Sequence, residues 1–170
     1  MMIVMEQTQQ QAELHDFDAR FRELYPRAVS LAYRMLGNRA AAEDIASESM
    51  ARALVRWDRL DHSLVAGWVL RVAANQAIDV MRRKGRTLTA GVIDLEDNTT
   101  LRLALADALQ KLPKRQRETI ALRYLSDLSE ADTAAALGIS TGSVKSHIHR
   151  GLASLRQQLG HDTLEAAHVG

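Results

Sequence analysis

The stretch from Leu128 to Leu155, LSEADTAAALGISTGSVKSHIHRGLASL, constrains what this chain can fold into more than any other. Ser129 and Asp132 stand three apart ahead of an alanine-rich run, the Ser-x-x-Asp pattern with which a helix start satisfies its own N–H groups. Gly138 lies between Leu137 and Ile139 and can take a positive φ in a turn without steric penalty. Ser140 is placed to cap a second helix. Along that helix Val144, Ile148, Leu152 and Leu155 fall on one face. Ser143, Ser146 and Arg150 point away from it, and Lys145 and His149 flank it. Two helices across a tight glycine turn, the second apolar inside and basic or polar outside, read as a helix-turn-helix, whose second helix enters the major groove of DNA.

This pattern divides the work among the outer residues. Lys145, His149 and Arg150 are candidates for base edges or phosphates, with Ser143 and Ser146 permitting close approach. Thr141 and Gly142 lie at the helix N-terminus, where backbone N–H groups and the helix dipole favour a phosphate. The bland alternative is an amphipathic helix with a solvated polar face. Cap, turn, buried spacing and outer chemistry all agree, which favours DNA.

The remainder reads as helix too. Two prolines in 170 residues, with many Ala, Leu, Arg and Glu, favour helix over strand, and no segment alternates long enough for a sheet. Helices are expected from about Ala12 to Tyr25, from Pro26 to Leu36 (ending at Gly37-Asn38), from Ala40 to Trp57, from Leu64 to Lys84, from Leu101 to Lys111, and from Pro113 to Tyr124. Pro26 fits a helix's first turn, where a missing N–H costs little. Phe17, Phe21, Leu24 and Tyr25 share a face of the first helix, and Val29, Tyr33 and Leu36 one of the second. Ile45, Met50, Leu54 and Trp57 are the inner residues of the third, and Trp68, Val72, Ile78 and Met81 the apolar ones of the fourth. The expected fold is all-α: two small helical domains, 12–86 and 101–160, joined by a flexible linker at 87–100, with a frayed tail at 161–170.

Composition excludes several functions. With no cysteine, disulfides, thiolate zinc sites and cysteine nucleophiles are absent. No apolar run approaches the ~18 residues of a membrane span, and the N-terminal stretch does not read as a signal peptide, so a cytoplasmic location is expected. His147 and His149 lie about 200° apart on a helix and cannot share one ion. No Ser/His/Asp order, phosphate-binding glycine loop or carboxylate pair stands out, so neither a catalytic site, a metal nor a cofactor is expected. The net charge of +1 conceals separate patches. Arg71, Arg82, Arg83, Lys84 and Arg86 face a single acid, Asp79, whereas Glu43, Asp44 and Glu48 cluster. Separate patches suit a protein with two kinds of partner.

Taken together, these residues resemble the sigma-70 family in its smallest, extracytoplasmic-function (ECF) type. Three stretches carry the resemblance across roughly Phe17 to Leu159: AEDIASESMARAL (42–54), GWVLRVAANQAIDVMRRKGR (67–86) and LPKRQRETIALRYLSDLSEADTAAALGISTGSVKSHIHRGLASLR (112–156). The resemblance implies a specificity subunit that binds core RNA polymerase, directs it to promoters and helps open the duplex, while the polymerase does the chemistry. It implies that Asp44, Ser47, Glu48, Ala51 and Arg52 dock on the β′ clamp helices, and that the C-terminal domain sits against the β flap while reading the upstream element. The loop at 58–66, including Asp61 and His62, then captures a flipped base, with Asn75 at a pocket position. Arg71, Arg82, Arg83, Lys84 and Arg86 hold the DNA backbone. Trp68 either stacks on an unpaired base or packs beside Ile78 and Val72, the second being favoured. Ser47 stands where the family has a longer polar residue. Thr133 stands where it has an apolar one, and a buried threonine there is expected to bond a carbonyl one turn back.

An anti-sigma partner that clamps the two domains together is a further implication, and no homo-oligomer is expected. Two competing readings remain: a stand-alone helix-turn-helix regulator, and a helical module that binds only protein. The acidic 42–54 helix and the basic 71–86 stretch discriminate, because a plain repressor needs neither.

Overall fold

The computed structural model describes the backbone of residues 2–88 and 97–167 and the side chains of 11–12, 15–83 and 104–160. Every regular element among the described residues is helical. They are α1 (Met2–Leu36), α2 (Arg39–Val55), a 3-10 turn (Trp57–Arg59), α3 (Val65–Leu88), α4 (Asp97–Lys111), α5 (Lys114–Ile120), a π-helical turn (Ala121–Leu125), α6 (Glu130–Leu137) and α7 (Thr141–Ala167).

The first two expected helices are one. Helix α1 passes through Pro26 without ending. Proline inside a helix forfeits one backbone bond and usually breaks it. Here the buried stripe Phe17, Leu24, Ala28, Leu31, Ala32 and Met35 keeps its phase across Pro26, which itself faces solvent. Burying a side chain such as Leu24 or Leu31, each at 0% exposure, is worth about 1.5–3 kcal/mol, so packing outweighs the local penalty. The continuous phase also corrects the inner face: Tyr33 is 42% exposed, and Ala28, Leu31, Ala32 and Met35 are the buried residues.

Helix α2 starts where Asn38 Oδ1 accepts the Ala41 N–H at 2.8 Å. Ile45, Met50 and Trp57 are buried as expected, but Leu54 is 45% exposed. Ser49 is fully buried; its hydroxyl donates to the Ile45 carbonyl at 2.7 Å and accepts from Gln76 Nε2 at 2.9 Å. That link pins α2 to α3. Phe17 meets Trp57 edge-on at 5.1 Å, closing the end of this three-helix unit.

Helix α3 continues to Leu88 and α4 begins at Asp97, so both ends of the expected linker are helical; 89–96 lie outside the described residues. Pro113 precedes α5, and the chain winds on through the π turn to Leu125. In the helix-turn-helix, Ser129 Oγ accepts the Asp132 N–H at 3.0 Å and donates to its carboxylate at 2.6 Å. Gly138 takes φ 63°, the left-handed conformation that ends α6. Ser140 Oγ accepts the Ser143 N–H at 3.1 Å and starts α7. Val144 and Leu155 are buried, with Ile148 and Leu152 half-buried. Beyond Gly160, where a frayed tail was expected, α7 stays helical to Ala167.

The N-terminal and C-terminal halves share one buried cluster, which runs from Phe17 through Val69 and Ala77 to Leu109, Leu122 and Leu155. Thr133 is fully buried, yet its hydroxyl has no hydrogen-bond partner among the described residues. The expected bond to a carbonyl one turn back does not form. An unpaired buried hydroxyl costs about 1–3 kcal/mol. Thr133→Val keeps the shape and removes that group, so the variant should be more stable by about 1 kcal/mol in urea denaturation. A loss of stability would mean that the hydroxyl has a partner.

Candidate nucleic-acid and protein-docking surfaces

Three surfaces emerge from these helices. The first is the outer side of α7. Thr141, Gly142, Lys145, Ser146, His149 and Arg150 are exposed. Ser143 is half-buried, and its hydroxyl lies 2.9 Å from Ser140 Oγ, so it serves the cap more than the outer face. Lys145 Nζ sits 3.6 Å from Glu130 Oε2, an exposed pair that contributes little to stability. Lys145 and His149 also line a cleft of about 270 Å³ with Arg123, Tyr124 and Arg156. They therefore face the flank of the recognition helix, as their angular positions require.

The second surface is the outer face of α2. Asp44, Ser47, Glu48, Ala51 and Arg52 are all exposed. Their spacing places them on one stripe. Glu48 Oε1 accepts from Arg52 Nε at 2.7 Å, leaving Asp44 as the acid at the stripe's other end. Val55, eleven residues beyond Asp44, continues the stripe and is 80% exposed. The sequence reading missed it. Its signal was the same helical spacing carried one turn further.

The third surface is α3 with the loop before it. Asp61 Oδ1 accepts from the Ser63 backbone N–H at 2.9 Å and from its hydroxyl at 2.6 Å. The Ser63 hydroxyl and then its N–H hold the Asp61 carboxyl below the usual carboxylate range. His62 stacks on Trp57 at 4.4 Å, with Nδ1 3.0 Å from Asp16 Oδ2 and Nε2 3.0 Å from the Trp57 carbonyl oxygen. The loop is thus fastened to α1 and to the 3-10 turn. Trp68 is half-buried and packs against the core, in keeping with its packing reading. Arg82 and Arg83 are exposed, Arg82 pairing with Asp79 at 3.3 Å. The side chains of Lys84 and Arg86 lie outside the described residues.

Arg71 and Asn75 are not open to solvent in the same way. Both reach into the C-terminal half, to Glu118 on α5. The Glu118 carboxylate is fully buried. Asn75 Nδ2 donates to its Oε1 at 3.0 Å and Arg71 Nε approaches the same oxygen at 3.4 Å, while Arg115 Nη1 lies 3.3 Å from Oε2. Arg71 also donates to the Ala136 carbonyl at 3.3 Å. Sequence reasoning did not single out Glu118. A carboxylate on a short helix rich in Lys and Arg reads as a surface residue, and only its distant donors bury it.

Among the described residues no three His, Asp or Glu side chains gather as metal ligands. None of the described helices is long and apolar enough to cross a membrane.

A helix-turn-helix with a basic outer face, following a helical unit with an exposed acidic stripe, defines an all-α protein of the helix-turn-helix class. Residues 20–87 match the family model described as sigma-70 region 2, and residues 102–155 that described as sigma-70, region 4. The ECF RNA polymerase sigma factor SigW of Bacillus subtilis is 36% identical over 151 residues, 76% of this chain and 81% of that protein. The ECF sigma factor SigE of Mycolicibacterium smegmatis is 30% identical over 178 residues, 96% of this chain and 69% of that protein. Among solved structures, the sigma factor RpoE of Bartonella quintana, in complex with the anti-sigma factor NepR, is similar at 25% identity and TM-score 0.53, over 85% of this chain and 97% of that one. CnrH, solved with the cytosolic domain of CnrY, shares the fold at 24% identity and TM-score 0.58, over 88% and 96% of the two chains. The chain belongs to the ECF sigma factors of the sigma-70 family. These relatives favour that reading over a stand-alone regulator.

The Asp61 turn gives a pH-dependent expectation. A lowered carboxyl pKa stabilises the loop above the ordinary carboxylate range, and the contribution is lost as pH falls through the lowered value. Ser63→Ala removes the first cause, so the Asp61 titration followed by NMR should move back up. An unchanged titration would mean that another group holds the carboxyl down.

Proposed function

We propose that this protein binds core RNA polymerase, directs it to promoters and helps open the duplex, supplying specificity while the polymerase supplies the chemistry. The observation that carries this reading is the pairing, in a member of this family, of an exposed acidic stripe on α2 with a capped helix-turn-helix whose outer residues are cationic or polar. Polymerase would dock on Asp44, Ser47, Glu48, Ala51 and Arg52, against the β′ clamp helices, and the C-terminal half would rest on the β flap. Lys145, Ser146, His149 and Arg150 would read the upstream element, with Thr141 and Ser143 near the phosphate backbone. Arg71, Asn75 and the basic end of α3 at Arg82, Arg83, Lys84 and Arg86 would hold the separated downstream strand, beside the loop at Asp61 and His62, while Trp68 packs against the core. Residues 12–86 and 101–160 would act as the two working domains around the 87–100 linker, in the cytoplasm where transcription occurs. An anti-sigma factor is a fitting regulatory partner.

The reading is tested by run-off transcription, mixing core polymerase and this protein with promoter fragments. Transcripts that start at a fixed distance from a shared pair of sequence elements support it. Tight duplex binding by the protein alone, without any protein-dependent start, would sink it. Two variants then locate the surfaces. Arg150→Ala should cost about 1–3 kcal/mol of discrimination between promoters if Arg150 bonds a base in bidentate fashion. Asp44→Arg should weaken core polymerase binding several-fold, measured by fluorescence anisotropy, while the thermal melt stays unchanged. Full core affinity in the Asp44 variant would move the docking surface elsewhere.

A further inference from the structure

We infer that His62 is a positioning residue and not a DNA contact: its imidazolium staples the 58–66 loop to α1, and the loop's hold on the downstream strand depends on that staple. The inference rests on the reading of this loop as part of the strand-holding surface and changes the part that His62 plays in it. Both ring nitrogens are taken up inside the protein. Nδ1 lies 3.0 Å from Asp16 Oδ2 on α1, and Nε2 lies 3.0 Å from the Trp57 carbonyl oxygen. The ring stacks on the Trp57 indole at 4.4 Å, and Phe17 meets the same indole edge-on at 5.1 Å. A side chain with both polar atoms engaged has none left for a base edge. The residues that the loop turns to solvent are instead Arg59, Asp61, Ser63 and Leu64.

The two partners decide which form of the ring fits. A carboxylate and a carbonyl are both acceptors. Neutral imidazole carries one N–H and satisfies only one of them, leaving a lone pair against the other oxygen. Imidazolium carries two and satisfies both. It also sets a positive charge over the indole face, which attracts cations. Asp16 faces the ring from α1, and Asp61 adjoins it in the chain. Asp58 and Arg59, on the 3-10 turn, lie 3.7 Å apart and pair with each other. Within the loop, Asp61 Oδ1 takes both Ser63 donors, and the Leu64 N–H donates to the Asp61 carbonyl at 2.9 Å. Those bonds shape the loop, and His62 ties the shaped loop to α1. The side chains of His62 and Asp16 are 40% and 47% exposed, so solvent screens the pair and its effect is modest. Histidine changes charge between about pH 5 and 8. The staple therefore has both bonds at the acid end of that range and one at the alkaline end.

The test has two readings. Heteronuclear NOEs of the Asp61, Ser63 and Leu64 amides in the free full-length chain report loop order. Affinity of its complex with core polymerase, for run-off promoter fragments whose downstream element is left unpaired, reports strand holding. Asp16→Asn removes the charge opposite Nδ1 from an exposed position on α1. At about pH 6 it should lower the NOEs and weaken DNA binding by about two- to fivefold, the range that an exposed ion pair supports. At about pH 8 the difference from the unsubstituted protein should shrink. His62→Phe keeps a ring to stack on Trp57 and drops both bonds, so it should lose at least as much at the lower pH, and its loss should shrink in the same way. Unchanged NOEs in Asp16→Asn at the lower pH would overturn the staple. Lower NOEs with unchanged DNA affinity would overturn the positioning role. A loss in His62→Phe with none in Asp16→Asn would mean that the ring touches the base itself, and would overturn that role as well. Losses of equal size at both pH values would overturn the imidazolium. If no fragment supports a protein-dependent start, the strand-holding reading fails and the positioning role falls with it, while the NOEs still decide the staple on the free chain.

Discussion

The arrangement of the two halves depends on one buried charge. Drying the Glu118 carboxylate costs several kcal/mol unless donors surround it. Arg115 comes from its own helix, but Asn75 and Arg71 come from α3, across the boundary between halves. With α3 withdrawn, water must replace two of the three donors. The apolar contacts around this point involve small side chains, such as Gly67 against Ala136, and small side chains bury little area. The polar cluster therefore acts beside the apolar core that the two halves share, and the two together decide how the halves sit.

A second polar link fixes which face of α2 looks outward. Ser49 is buried between the Ile45 carbonyl and the Gln76 amide. Rotating α2 would break the bond to Gln76 and expose Ile45 and Met50, each a buried core residue. With the helix held in that rotation, Asp44, Ser47, Glu48 and Ala51 have no route inward. The acidic stripe is thus a consequence of packing on the opposite side, and it keeps its shape without a partner.

The parts of this fold that the sequence made legible are those fixed by near neighbours. The caps at Ser129 and Ser140 and the turn at Gly138 involve residues within a few positions, and all three form. The joining of two expected helices through Pro26 was not legible, because the local cost of proline is visible in sequence whereas the stripe from Phe17 to Met35 acts only once α2 and α3 pack on it. Thr133 shows the same limit in reverse: a local bond was expected, and tertiary burial left the hydroxyl unpaired. Glu118 lies furthest from sequence reasoning. Its donors are 43 and 47 residues away, so no spacing rule reaches them. Asn75 and Arg71 were expected to contact DNA, and their bonds to the chain's own carboxylate were not legible.

The packing of the halves and function are then linked by population. A ligand shifts a conformational equilibrium only through its different affinity for the two states. DNA that took Arg71 and Asn75 would have to displace Glu118 from them. A protein partner that gripped the α2 stripe and the C-terminal half at positions further apart than the packed arrangement allows would break the same bonds. Each would therefore strengthen the other by an equal factor, since coupling between binding sites is reciprocal. A partner that binds the halves together shifts the balance the other way and weakens both. Free duplex DNA meets an exposed α7 in either state and gains nothing from opening. Arg71 and Asn75 give their donors to Glu118, so any ligand of these two side chains must compete with that carboxylate.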